Sequence, residues 1–235
     1  MLKSQKRKTA LFIILGIMIT IALSGCGKPG SQSGSQSGST SSASSSTSAA
    51  STSQAEATPG NSTVAANHPK IQFVMENGDK MTFELYPEYA PETVANFVTL
   101  AKSGFYNGLT FHRIVKGFMI QGGDPNGNGS GGSSKNIKGE FRNNGFPKNT
   151  LSHTKGIISM ARGYDPNSAS SQFFIMDGDQ TGLDGDYAAF GKLTSGEATL
   201  DKIAATPVVT NPNMQGEVSL PTQKVVIKSV TVLDK

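Results

Sequence analysis

Phe111-His112-Arg113-Ile114-Val115-Lys116-Gly117-Phe118-Met119-Ile120-Gln121-Gly122-Gly123-Asp124 sets a guanidinium, apolar side chains and an amide within one short stretch. Two strand-like runs pass through it, Thr110–Ile114 and Phe118–Gln121. Upstream, Ile71, Phe73 and Met75 alternate with polar residues, as do Met81, Phe83 and Leu85, and Asn77-Gly78 between them predicts a hairpin. Pro91-Glu92-Thr93 opens a helix with an apolar face of Val94, Phe97, Val98 and Ala101, which Gly104 ends. Downstream, Gly156–Met160, Gln172–Met176, Tyr187–Leu193 and Lys224–Leu233 read as strands and Ser195–Ala204 as a second helix. In the last strand Val226, Lys228 and Val230 fall out of phase with Val225, Ile227 and Ser229. The pattern is all-β with two helices. The expected fold is a closed eight-stranded antiparallel β-barrel capped by the two α-helices, because closure removes exposed strand edges.

Composition narrows the function. The 235 residues include one Cys and three His, which excludes a disulfide framework and a four-cysteine zinc site and leaves little for a multi-His centre. No metal or cofactor is expected. The formal charge of +4 resides in Lys3, Lys6, Arg7 and Lys8; beyond them 17 bases face 17 acids. The basic balance therefore says nothing about nucleic acid.

The N-terminus reads as an address. Behind the basic residues, Ala10–Leu23 is uncharged, too short to span a bilayer but suited to a signal-peptide core. Leu23-Ser24-Gly25-Cys26 follows and resembles the lipobox of bacterial lipoproteins, which implies lipidation of Cys26 and cleavage just before it. Residues 1–25 are thus the expected signal peptide. Residues 26–68 form the linker: Gly27–Ala66 holds 14 Ser, 5 Thr, 7 Ala and 5 Gly and no aromatic residue, a composition that cannot bury enough surface to fold. A flexible chain of that length reaches about 35 Å. Residues 69–235 suffice for one well-buried core. The expected location is the extracytoplasmic side of the cell membrane, and nothing suggests an obligate oligomer.

Several motifs fail on their surroundings. Gly127, Gly129 and Gly132 fit G-x-G-x-x-G, but the flanks are loop-like rather than strand and helix. Asp177-Gly178-Asp179 and Asp184-Gly185-Asp186 hint at calcium, yet Thr181 and Ala188 stand where ligands would be needed, so both read as turns. No G-x-S-x-G elbow is present, and no His/Asp spacing suggests a triad. His112 reads as structural and His153 as a loop residue.

The stretch from Phe111 is followed by Ile158-Ser159-Met160-Ala161-Arg162, Ser171-Gln172-Phe173-Phe174-Ile175, Leu183-Asp184-Gly185 and Phe190-Gly191-Lys192. From about Ile71 to Leu233 the chain resembles the cyclophilins, a family of peptidyl-prolyl cis/trans isomerases. The resemblance implies a catalytic guanidinium at Arg113 and a proline pocket of Phe118, Met119, Phe174 and Leu183. It implies polar substrate contacts from Gln121 and Gln172, main-chain groups from Ala161 and Arg162, and a neighbouring groove along Gly129-Ser130-Gly131. Tyr187 stands where eukaryotic members often carry histidine, and keeps an aromatic wall. Gly182 replaces a Trp or Phe that packs against cyclosporin in many members. The loop Arg162–Ser171 is one residue longer than the common eukaryotic pattern.

Taken singly, each residue has an ordinary structural reading; their joint order overturns it. The leading expectation is an isomerase acting on X–Pro bonds of unfolded or partly folded secreted proteins. The alternative is a membrane-tethered module that captures Pro-containing segments without turnover. A solute-binding lipoprotein would need two α/β lobes, for which residues 69–235 offer too little helix.

Overall fold

The computed structural model describes residues 68–233, so the leader, Cys26 and the linker up to residue 67 lie outside the described residues. The strands are β1 Lys70–Met75, β2 Lys80–Leu85, β3 Arg113–Val115, β4 Met119–Gly122, β5 Ile157–Met160, β6 Phe173–Met176, β7 Ala189–Ser195, β8 Val208–Thr210, β9 Val218–Pro221 and β10 Ile227–Leu233. The helices are α1 Pro91–Lys102 and α2 Glu197–Ala204. Eight strands form one curled antiparallel sheet in the order β10-β1-β2-β7-β5-β6-β4-β3, and β8 pairs with β9 separately.

Local chemistry accounts for the first elements. Asn77-Gly78 turns β1 into β2, with Gly78 at φ 87° and the Asn77 side chain accepting the Asp79 N–H at 3.0 Å. In α1 the first two N–H groups, of Glu92 and Thr93, donate to the buried Glu140 carboxylate at 3.0 and 2.8 Å. That places a negative charge at the positive end of the helix dipole, a cap supplied from a distant segment. The helix buries Thr93, Val94, Phe97 and Ala101.

The expected closed barrel is corrected to a curled half-barrel. Among the described residues no ladder joins the two edge strands, β3 and β10. Instead the chain leading into β3 is stitched to the segment around the start of β10: Phe111 N–H donates to Val225 O at 3.0 Å and Ile227 N–H to Leu109 O at 2.8 Å. β3 also lies against β9. Covering edges protects them as closure would, and a three-residue β3 is too short to carry a full ladder.

The β8–β9 ladder was not anticipated. A second departure lies in β10, where the register passes from Val74↔Ser229 to Met75↔Ile227 and leaves Lys228 as a bulge. The bulge brings Ile227 and Val230 onto the buried face together, although strict alternation puts them out of phase.

The main core is aromatic. Phe97 stacks on Tyr106 with centroids 4.7 Å apart, and Phe173 meets Phe73, Phe97, Tyr106 and Phe111. Each ring contributes roughly 1.5–3 kcal/mol by burial. The strand pleat splits the site strands between two faces. Ile114, Ile120, Ile158, Phe173, Ile175 and Phe190 join this core, whereas Met119, Ile157, Phe174, Met176 and Ala189 form a second apolar cluster.

Candidate active site

The second cluster is the floor of the site. Val115, Phe118, Leu151, Ala161, Leu183 and Tyr187 pack against it, each only partly buried. Pairing of Val115 with Met119 and of Arg113 with Gln121 carries the row to the end of β3, while Gln121 faces Phe174 across β6. The pleat therefore delivers Arg113, Met119, Gln121 and Phe174 to one face, with Gln172 beside them.

Arg113 stands at the edge of this apolar floor. Its guanidinium carbon lies 5.9 Å from the Phe118 ring centroid, and Nη1 is 3.8 Å from the Met119 sulfur. Nη1 also donates to Gln121 Oε1 at 3.1 Å. Gln121 Nε2 donates to Gln172 Oε1 at 2.9 Å, and Gln172 Nε2 donates to the carbonyls of Gly129 and Gly131 at 3.0 and 2.7 Å. One polar chain thus runs from the guanidinium to the glycine-rich loop. Asp124 holds that loop from the other side: its carboxylate accepts the N–H groups of Asn126, Asn128 and Gly129. Although burial pushes the Asp124 carboxyl up, those N–H bonds hold it below the ordinary value. The loop is an acid-anchored turn, in keeping with rejection of the dinucleotide motif.

Phe174 is buried and has its ring edge against Tyr187, with centroids 5.6 Å apart. Arg162 lies between two rings, 5.1 Å from Phe141 and 4.9 Å from Tyr187, and Nε donates to Asp186 O at 3.0 Å. Its side chain is thereby committed to the wall. The Ala161 N–H is spent on Gln172 O at 3.0 Å, so its carbonyl is the group it can offer a peptide. Gly182 is exposed, and a Cβ built there meets nothing within 4 Å. Cys26 is the one expected site residue outside the described residues.

Two features were missed. Glu217 accepts from Arg113 Nε and Nη2, both at 2.7 Å, a bidentate pair. Hydrogen bonding from Arg113 holds the Glu217 carboxyl below its ordinary value, against the effect of burial. The partners are 104 residues apart, and no local pattern announces the pair.

The second lies at His153, which is the loop residue expected, in the chain before β5, but is fully buried, with Nδ1 2.8 Å from Asp184 Oδ1 and Nε2 3.0 Å from Ser159 Oγ. The Ser–His–Asp grouping joins residues 6 and 31 apart, a spacing that suggests no triad in the sequence. Ser159 is itself fully buried and so cannot reach a substrate as nucleophile. The group supports the pocket instead, since the imidazole stacks on Phe174 at 5.9 Å and 19°. Burial pushes the His153 imidazole below its ordinary value, against the pull of Asp184. Burial does the same to His112.

A histidine lowered on folding takes up its proton sooner in the unfolded chain, so acid favours unfolding. As pH falls below about 6.5, stability declines. Thermal unfolding at about pH 7 and 5.5 checks this, and a midpoint equal or higher at 5.5 contradicts it.

A family model for the cyclophilin type peptidyl-prolyl cis-trans isomerase/CLD matches residues 70–232. The chain belongs to the cyclophilins. Its cyclophilin domain is 49% identical over 124 residues to peptidyl-prolyl cis-trans isomerase B of Bacillus subtilis, covering 53% of this chain and 82% of that one. A putative peptidyl-prolyl cis-trans isomerase of Staphylococcus haemolyticus is 37% identical over 206 residues, 74% of this chain and 96% of that one. A cyclophilin of Cryptosporidium parvum, whose crystal structure was determined in the presence of the dipeptide Ala-Pro, matches with a TM-score of 0.61 and 33% identity. That match covers 71% of this chain and 99% of the other. The cyclophilin described here is a peptidyl-prolyl cis-trans isomerase.

Proposed function

We propose that this cyclophilin isomerises X–Pro bonds of exported proteins at the outer face of the cell membrane, anchored by a lipid on Cys26, with Arg113 as the catalytic group. The observation that carries the chemistry is the Arg113 guanidinium held at the edge of an apolar floor containing Phe118, Met119 and Phe174. The relative whose crystal structure was determined in the presence of Ala-Pro supports proline-containing peptides as the substrates.

Rotation about X–Pro breaks amide resonance against a barrier of about 18–20 kcal/mol, without making or breaking a covalent bond. Catalysis then requires only that the twisted amide be bound better than either planar form. In the twisted amide the prolyl nitrogen becomes pyramidal and its lone pair localises. Arg113 donates to that nitrogen or to the carbonyl oxygen as it swings. The planar, permanently charged fork fixes direction as well as charge, which a lysine ammonium does not. Phe118, Met119, Phe174 and Leu183 hold the pyrrolidine ring while the acyl side turns, with Tyr187 as the wall. Gln121, Gln172 and the main chain of Ala161 and Arg162 hold the peptide on either side. The apolar floor also excludes water, which favours the more polar planar amide.

The location rests on sequence: a basic segment, an uncharged core and a lipobox ending at the single cysteine, followed by a Ser-rich spacer. Cells carrying the full chain should isomerise an added X–Pro peptide without permeabilisation, above a strain lacking the gene. Activity that emerges only after lysis would overturn the external placement.

A further inference from the structure

We propose that Glu217, delivered by the β8–β9 hairpin, is a positioning residue for isomerisation: it fixes the plane of the Arg113 fork and fits the site to peptides without an acidic residue beside proline. The proposal rests on the isomerase activity and adds a residue to it.

The fork has five N–H donors. Two are spent on the Glu217 carboxylate and one on Gln121. The second Nη1 donor faces only the weak Met119 sulfur acceptor at 3.8 Å and one Nη2 donor remains, and these two are what a substrate amide can meet. Without Glu217 the side chain is held at one edge only, by Gln121. The guanidinium could then swing while keeping that bond, and a donor displaced by about an ångström loses much of its effect.

The hairpin that carries Glu217 is tightly determined. Asn211, almost fully buried, donates its N–H to Glu217 O at 2.7 Å, accepts the Asn213 N–H at 3.0 Å and reaches Ser219 Oγ at 3.3 Å. Gln215 takes φ 51°, the sole non-glycine residue at positive φ among the described residues. Such a conformation costs about 1–3 kcal/mol and persists only where its surroundings enforce it. The turn also brings Met214 against Gly129, so the hairpin touches both the cation and the loop at the far end of the polar chain. Yet Val209 and Val218 stay exposed, so this short ladder gains little from burial. Its geometry is explained by where it places the carboxylate.

That carboxylate also cancels the positive charge beside the pocket. An acidic residue next to proline meets no net attraction there, and a basic one meets Glu217 as well as the fork.

The test uses the full chain with X–Pro peptides carrying Lys, Ala or Glu before proline, followed by exchange NMR. Native turnover is measured first; an inactive native protein would count against the activity, not against Glu217. Glu217→Ala should lower kcat roughly tenfold with KM nearly unchanged. Glu217→Gln, which keeps one accepting oxygen without the charge, should recover part of kcat. In Glu217→Gln the Lys-to-Glu ratio of kcat/KM, above one in the native protein, should fall severalfold. A kcat at or above native in Glu217→Ala, or an unmoved ratio in Glu217→Gln, overturns the proposal. If the alanine variant fails to fold, the glutamine variant alone decides by the same ratio.

Discussion

Replacing Arg113 with alanine lowers kcat/KM for an X–Pro peptide by about 10²–10³-fold, the loss typical of a preorganised donor aimed at charge that develops in a transition state. The loss falls mainly on kcat. In the proposed mechanism the floor of Phe118, Met119, Phe174 and Leu183 still receives the proline ring, so KM should change little. Arg113→Lys keeps a charge but supplies no planar fork. It cannot engage both Glu217 oxygens and Gln121 in the present arrangement, so it should recover only a minor part of the activity. The domain should remain folded, since Arg113 is partly exposed and contributes nothing to the aromatic core. Exchange NMR measures the rate and thermal unfolding controls for stability. Unchanged turnover in the alanine variant would remove Arg113 from the mechanism and return the site to a peptide-capturing role.

With the proposed lipid anchor, Cys26→Ser is expected to have the second large effect, on location instead of rate. A thiol is needed for the lipid linkage, and serine does not supply one. Burying acyl chain gains about 0.8 kcal/mol per CH₂, while a single chain holds a protein only reversibly, so stable anchoring requires more than one chain. The native protein should sediment with membranes and resist extraction by salt but not by detergent. The serine variant should lose that detergent-sensitive anchoring, and its uncleaved leader gives a larger mass. Isomerase activity per folded molecule stays at the native value, because the matched family region begins at residue 70. A serine variant with native mass and native membrane retention would exclude the lipid anchor.

The elements legible in the sequence were those whose cause is local. Asn77-Gly78 declares its turn by backbone preference, and β1 and β2 declare their faces by strict alternation. The site rows were legible for the same reason: Arg113 and Val115, then Met119 and Gln121, recur at period two. Their roles came from the family resemblance, since alternation cannot distinguish a pocket from a core. What stayed hidden depends on long-range pairing. β8 and β9 are three and four residues long, expose Val209 and Val218, and end on Pro221, so they carry no amphipathic signal. Glu217 finds Arg113, and Asp184 finds His153, only once the chain has folded. The Lys228 bulge defeated alternation in β10, since one extra residue shifts the side chains beyond it.

The division of β3 to β7 between an inner and an outer row gives this scaffold two separately adjustable properties. Exchanging Gln172 or Met119 can change which peptides fit while the rings gathered around Phe173 keep their packing. A change at Ile120 or Ile175 reaches the peptide chiefly by shifting the strand itself. With the peptide seated as proposed, substrate preference can drift along one row while thermal resistance is tuned along the other.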